Sequence, residues 1–177
     1  MNGINEQIKR LIDKFQIEKV FEIRALMLDS LISERKVLIM GNKKASVIAA
    51  EFSEYASLNS DLNLFSMSEG SVLTCLSNDF GFETIYEKYV DEYASSDDLI
   101  IVLKSSGAEE NLYRAMKKAG EKGCKVVCLS GACFEDDIAE YADVHIVIPT
   151  DNDRILYLCE ELILESVFEE LKNNNKG

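Results

Sequence analysis

The sequence has little proline and no tryptophan, with one proline and nine glycines in 177 residues. Because proline breaks or kinks helices, its scarcity and the long apolar periodicities predict a chain rich in helix. There is one histidine, His145, in the middle of the apolar run 144–148, and this position favours a structural role over a catalytic one. No secretory leader or apolar run of membrane length is present, so we expect a cytoplasmic protein.

Positive charge is also scarce, because the chain has 19 lysines and arginines but 32 acidic residues, which gives a formal net charge of −13. This balance argues against direct binding of nucleic acid or of an anionic membrane, although it leaves room for a small positive site. The five cysteines are an odd number, and we interpret them as reduced core residues. A zinc site at Cys124 and Cys128 would need two more ligands, and the sequence shows none nearby.

Apolar strand-like runs alternate with helical patterns along the chain. This order predicts an α/β fold, a three-layer αβα sandwich with a five-stranded parallel sheet and long N- and C-terminal helices. Strands are expected at 36–40, 62–67, 98–103, 125–129 and 144–148. Helices are expected at 47–56, 71–76, 83–93, 108–118, 136–141 and 153–171, the last of them capped by Asp151 or Asn152, with a turn over 78–82.

One domain is expected over 1–177. Residues 4–32 show a helical pattern whose phase shifts near 16–19, so 1–33 are predicted to form one or two N-terminal oligomerisation helices. The αβα core and terminal helix would then occupy 34–171, and the polar residues 172–177 would form a frayed tail.

The loop after the buried strand 98–103 reads Lys104-Ser105-Ser106-Gly107. In a parallel sheet this loop lies at the carboxyl edge, where open α/β folds bind ligands. Its hydroxyl groups, its backbone N–H groups and the start of the next helix suit a phosphate. Lys43 and Lys44 follow the first strand and should reach the same edge, so the sequence predicts a local positive site.

Several motifs occur in a specific order. They include Gly41-Asn42 after the first strand, Asn78-Asp79-Phe80-Gly81-Phe82, Lys104-Ser105-Ser106-Gly107, and Asp153-Arg154-Ile155 before the last helix. Along nearly its whole length the chain resembles the phosphoheptose isomerase branch of the sugar isomerase (SIS) domain family. The resemblance implies a cytoplasmic homotetramer with a Rossmann-like αβα fold and phosphosugar sites completed by neighbouring subunits. The ligand and phosphate positions that it implies here are Gly41, Asn42, Lys43, Lys44, Asn78, Asp79, Lys104, Ser105, Ser106, Gly107 and Asp153.

The chain departs from the family pattern at the catalytic positions. The family's catalytic glutamate and histidine fall on Tyr55 and Leu164, and its further zinc ligands fall on Glu51 and Leu156. Since leucine can neither bind a metal nor move a proton, the resemblance implies that the zinc-assisted acid–base site is lost, and we expect no cofactor. Glu51 and Glu54 remain weak catalytic candidates. A family serine that touches phosphate falls on Glu109, and we expect Glu160, Glu161 and Glu165 to form a solvated face.

Three arrangements of the lysines stay open. They could hold a phosphate, Lys104 could fill the site by pairing with Glu51, Glu54 or Glu109, or Lys43 and Lys44 could point to water. The favoured function is a phosphosugar-binding SIS protein without isomerase chemistry. The alternatives are an aldose–ketose isomerase of the sedoheptulose 7-phosphate type that uses substituted residues, and a regulatory tetramer that binds a protein, like the replication-initiator-binding relatives.

Overall fold

Five parallel strands form the sheet in the computed structural model, which describes residues 6, 9, 11, 16–105, 109–132 and 140–174. The strands are β1 (Lys36–Gly41), β2 (Asn63–Ser66), β3 (Leu99–Lys104), β4 (Lys125–Gly131) and β5 (Val144–Ile148). Their spatial order is β2-β1-β3-β4-β5, and every neighbouring pair is parallel. Such a sheet places the carboxyl ends of β1 and β3 side by side at its centre, and the predicted fold class is confirmed.

Six α-helices of the described residues cover the two faces of the sheet. The helices are α1 (Ile17–Ile32), α2 (Lys44–Asn59), α3 (Gly70–Phe80), α4 (Ile85–Tyr93), α5 (Glu110–Lys122) and α6 (Asp153–Asn174). Helices α1, α2 and α6 pack on one face, and α3, α4 and α5 pack on the other. A short 3-10 turn (Phe82–Thr84) joins α3 to α4.

Burial on both faces explains why β3 is an unbroken apolar run. All six of its residues are buried, and alternate side chains enter the two separate cores. Leu99, Ile101 and Leu103 pack toward α1, α2 and α6, whereas Ile100 and Val102 pack toward α4 and α5. A central strand covered by helices on both sides needs no polar face.

The helix boundaries depart from the predicted ones in several places. Asn78 and Asp79 were predicted in a turn but lie in the last turn of α3, which ends at Gly81 with a φ of +86°. Helix α5 runs through Gly120 and ends at Gly123, which is left-handed as a C-terminal glycine should be. The start of α6 is as predicted, because the Asn152 side chain accepts a hydrogen bond from the Arg154 N–H at 3.0 Å.

The N-terminal pattern gives a helix that begins at Ile17, with Gln16 in a non-helical conformation. The break expected near 16–19 therefore falls at this position. The helix predicted over 136–141 lies mostly outside the described residues. Over the ranges the structure describes, no helix is both long and apolar enough to cross a membrane.

Candidate functional site

The end of β1 approaches its neighbours so closely that only glycine fits there. A Cβ atom on Gly41 would lie 2.7 Å from the Ala45 Cβ and 2.8 Å from the Leu103 carbonyl oxygen. The Gly41 carbonyl accepts a hydrogen bond from the buried Tyr86 hydroxyl, and burial raises the pKa of Tyr86 to about 12. Gly41 thus brings the start of α2 against the end of β3, which assembles this edge of the sheet.

Lys43 has a backbone conformation that glycine adopts more easily than other residues. Its φ is +54° and its ψ is −126° at the position before α2, a combination that strains any residue with a Cβ atom. The Lys43 side chain is exposed, and Lys44 lies over the Tyr157 ring with its Nζ 5.9 Å from the centroid. Lys44 is therefore directed to α6, whereas Lys43 is close enough to Glu109 for its charge to act on that carboxylate.

Asn42 sits at the centre of a polar network between the ends of β1 and β3. Its Nδ2 donates to Glu109 Oε1 at 3.0 Å and to Asn111 Oδ1 at 2.9 Å, and its Oδ1 accepts from Asn111 Nδ2 at 2.9 Å. Ser105 Oγ donates to the same Glu109 oxygen at 2.9 Å. The predicted residues Asn42 and Ser105 do meet, and they meet on a carboxylate.

Opposite charges surround this network. Lys104 is buried at 5% exposure and Glu109 at 9%. Burial lowers the pKa of Lys104, and the Glu109 carboxylate opposes that effect. Burial raises the pKa of Glu109, while hydrogen bonds from Asn42 and Ser105 and the charges of Lys104 and Lys43 oppose the rise. Lys43, Lys104 and Glu109 therefore act on one another electrostatically at one edge of the sheet.

Sequence reasoning missed Asn111 and misjudged Glu160. Glu109 was expected at a family phosphate position and as one of three possible partners of Lys104, and its charge does oppose the effect of burial on the Lys104 pKa. The expected solvated position of Glu160 is wrong, because that side chain has 0% exposure and neither of its oxygens has a hydrogen-bond partner among the described residues. The helical spacing could have predicted this burial, since Glu160 lies four residues from both Leu156 and Leu164 on the apolar face of α6.

His145 lies in the middle of β5. Its Nε2 lies 2.7 Å from the Ser130 hydroxyl, and its backbone carbonyl accepts a hydrogen bond from Lys19 Nζ at 2.6 Å. Burial, then the charges of Lys19 and Lys104, lower its pKa. Because His145 contacts a fully buried hydroxyl, Ser130, this pair fits a structural role.

The residues on which the resemblance places the catalytic groups and zinc ligands include three that lie in or against apolar packing. Leu156 and Leu164 are each 1% exposed and belong to the core beneath α2 and α6. The Tyr55 ring packs against Phe168 with centroids 5.6 Å apart. Neither leucine has an atom that could bind a metal.

Glu51 and Glu54 lie on the exposed side of α2 and do not join the Asn42 network. They line an open groove of about 650 Å³ between α2 and β2. Ser53, Ser57 and Ser66 line the same groove, and Ser53 Oγ donates to Ser66 Oγ at 3.1 Å. The groove can admit a polar ligand, but it is separate from the positive edge.

The remaining predicted site residues are dispersed. Asn78 and Asp79 are exposed on α3, and no hydrogen bond among the described residues joins either of them to Asn42. Asp153 begins α6 and raises the pKa of Glu160 through its charge, after burial and Glu109. Ser106 and Gly107 lie outside the described residues. Within 16–105, 109–132 and 140–174, no group of three His, Cys, Asp or Glu side chains is placed to hold a metal.

Comparison with known proteins gives a consistent result. No family model matches the chain. The phosphoheptose isomerase of Haemophilus ducreyi is 32% identical over 146 residues, which cover 80% of this chain and 75% of that protein. The phosphoheptose isomerase of Sodalis glossinidius is 31% identical over 157 residues, covering 84% of this chain and 80% of that protein.

Solved structures agree at the level of the fold. A phosphoheptose isomerase from Francisella tularensis superposes with a TM-score of 0.86 at 23% identity, covering 94% of this chain and 92% of that one. The two relatives are more than 30% identical to this chain over most of its length, so they show its family, whereas the solved structure shows its fold. With its five-stranded parallel sheet and its polar edge at β1 and β3, this chain belongs to the phosphoheptose isomerase family.

Proposed function

We propose that this chain binds a phosphorylated sugar at the carboxyl edge of β1 and β3 and does not carry out zinc-assisted isomerisation. Phosphate binding is supported by one observation. Four groups act on the same place at that edge, now held by the Glu109 carboxylate, and they come from Asn42, Ser105, Lys43 and Lys104. Amide, hydroxyl and ammonium groups are the donors that phosphate oxygens take, and family membership supplies the sugar.

The loss of zinc chemistry is supported by the donor set. Two of the four positions that the resemblance assigns to zinc carry Leu156 and Leu164, and both are buried in apolar packing. A third carries Tyr55, whose ring contacts Phe168. Zinc in proteins takes nitrogen, sulfur or carboxylate oxygen ligands, so these residues do not fit a zinc site. The same substitutions remove the acid–base pair that an enediol intermediate requires.

Two assays on the purified protein test the two halves separately. Turnover of sedoheptulose 7-phosphate, with and without added zinc, should stay at the uncatalysed rate. Thermal unfolding with the same sugar phosphate should show stabilisation, about 2.7 kcal/mol at a hundredfold excess over Kd. Lys43→Met should weaken this effect, whereas Lys88→Met, which removes an exposed lysine over Phe80, should leave it intact. Zinc-dependent turnover would contradict the proposal, as would the absence of any shift.

A second candidate function rests on the groove that Glu51 and Glu54 line. There the chain would be an aldose–ketose isomerase in which these carboxylates replace the lost base. Replacing both by alanine should then abolish turnover, whereas Glu161→Ala, on the exposed side of α6, should not. Turnover that survives the double replacement would exclude this candidate.

We also propose that the chain forms a homo-oligomer, as expected for a tetramer of this family. Exposed apolar side chains on α1 support it, because Ile17 is 61% exposed and Phe21 is 53% exposed. The chain mass is 19.9 kDa, so light scattering distinguishes a tetramer from a monomer. Phe21→Glu should shift a tetramer toward smaller species, and a monomeric wild type would refute the proposal.

A further inference from the structure

Glu109 behaves unlike an ordinary residue at the start of a helix. It occupies the position before α5, where a carboxylate usually accepts hydrogen bonds from the first N–H groups of the helix. Its side chain makes no such bond. The carboxylate turns instead toward the ends of β1 and β3, where its Oε1 accepts from Asn42 and Ser105.

The donors that Glu109 uses are the ones the site offers to an anion. One hydroxyl and one amide, from two different strand ends, converge on a single oxygen at 2.9 and 3.0 Å. The charges of Lys104 and Lys43 attract the same carboxylate. A small oxyanion placed between these groups would make the same set of contacts.

The surrounding contacts hold Glu109 in this place. The Asn42 amide is fixed by a reciprocal pair of hydrogen bonds with Asn111, and Asn111 Oδ1 also accepts from the Leu112 N–H at 2.9 Å. Ser105 is fully buried next to it. The other carboxylate oxygen, Oε2, is buried without a hydrogen-bond partner in the described part of the chain. Both hydrogen bonds that the carboxylate accepts are therefore on one oxygen, and the other oxygen adds none.

We propose that Glu109 is an internal anion that occupies the phosphate position and determines how tightly the site accepts a phosphorylated ligand. This inference rests on the proposed phosphosugar binding and adds its regulation. With the carboxylate in place, an incoming phosphate meets a like charge and finds the Asn42 and Ser105 donors already used. Binding then requires that the Glu109 side chain move away. The free energy of that displacement makes the observed binding free energy less favourable and so weakens the affinity.

The test compares two variants with a matched control. Glu109→Ala empties the position, whereas Glu109→Gln keeps its shape and removes its charge. Glu110→Gln adds the same unit of net charge one residue away, at an exposed side chain paired with Arg114 at 2.8 Å. Each protein is titrated calorimetrically with sedoheptulose 7-phosphate and with inorganic phosphate, and circular dichroism confirms that each is folded.

We expect Glu109→Ala to bind sedoheptulose 7-phosphate about 100-fold more tightly than the wild type, or about 2.8 kcal/mol at 1.4 kcal/mol per tenfold. Glu109→Gln should fall between them, and Glu110→Gln should match the wild type. Equal affinity of Glu109→Ala and the wild type would overturn the role of Glu109 and leave the proposed binding standing. An equal gain in Glu110→Gln would also overturn it, since net charge alone would then suffice. If none of the proteins binds either probe, both the proposed function and this inference are wrong.

Discussion

The buried carboxyl group of Glu160 gives the sharpest prediction about stability. The side chain has 0% exposure, and neither oxygen has a hydrogen-bond partner among the described residues. Burial, then the charges of Glu109 and Asp153, raise its pKa well above the ordinary value. Glu160→Gln keeps the size of the side chain and removes the titration, so the variant isolates the effect of the proton.

The sign follows from the number of protons bound in each state. The unfolded chain releases the Glu160 proton near the ordinary value of 4.5, whereas the folded chain keeps it to higher pH. Between those two points the folded state binds more protons, so the free energy of unfolding falls as pH rises. The decrease approaches about 1.4 kcal/mol per pH unit for as long as the folded carboxyl stays protonated.

Urea unfolding of the wild type and Glu160→Gln at about pH 5, 6 and 7 measures this effect. The variant should gain stability relative to the wild type as pH rises through that interval, at no more than about 1.4 kcal/mol per pH unit. The buried amide adds an offset that does not depend on pH, so the slope is the quantity to compare. Glu161→Gln is the control, because Glu161 is exposed on the same helix. A constant difference between Glu160→Gln and the wild type, or one that shrinks as pH rises, would refute the reasoning.

Three further replacements test the geometry of the sheet edge and its support by urea unfolding. Gly41→Ala should destabilise the fold by about 1 to 3 kcal/mol, because its Cβ atom would lie 2.7 Å from the Ala45 Cβ; an unchanged midpoint would show that this approach is looser. Lys43→Gly should stabilise it by about 1 kcal/mol by relieving the positive φ, and a loss would contradict the strain. Asp98→Ala should cost about 2 to 3 kcal/mol, since its carboxylate accepts from the Ser95 N–H at 2.7 Å and the Lys36 N–H at 2.9 Å; Asp61→Ala, at an exposed side chain, should cost little.

The arrangement of strands and helices could be predicted from local patterns. The apolar run in β3 reflects burial on both faces, and alternation of such runs with helical periodicities leads to a parallel sheet. Gly123 is a local signal for the end of α5, because glycine adopts a left-handed conformation at low cost, although the predicted helix ended at residue 118. The end of α3 was misplaced, because Asn78 and Asp79 favour turns locally, whereas the helix continues to Phe80 and is followed by Gly81.

The sequence by itself determined that Asn42, Lys43, Lys104 and Ser105 would end neighbouring strands, since chain order and strand polarity fix that edge. Only the tertiary structure decided what these side chains contact. Asn42 and Glu109 are 67 residues apart. No local pattern predicts that the Glu109 carboxylate turns away from its own helix and accepts hydrogen bonds from Asn42 and Ser105. That choice depends on burial and on charges from distant strands, which exist only once the chain has folded.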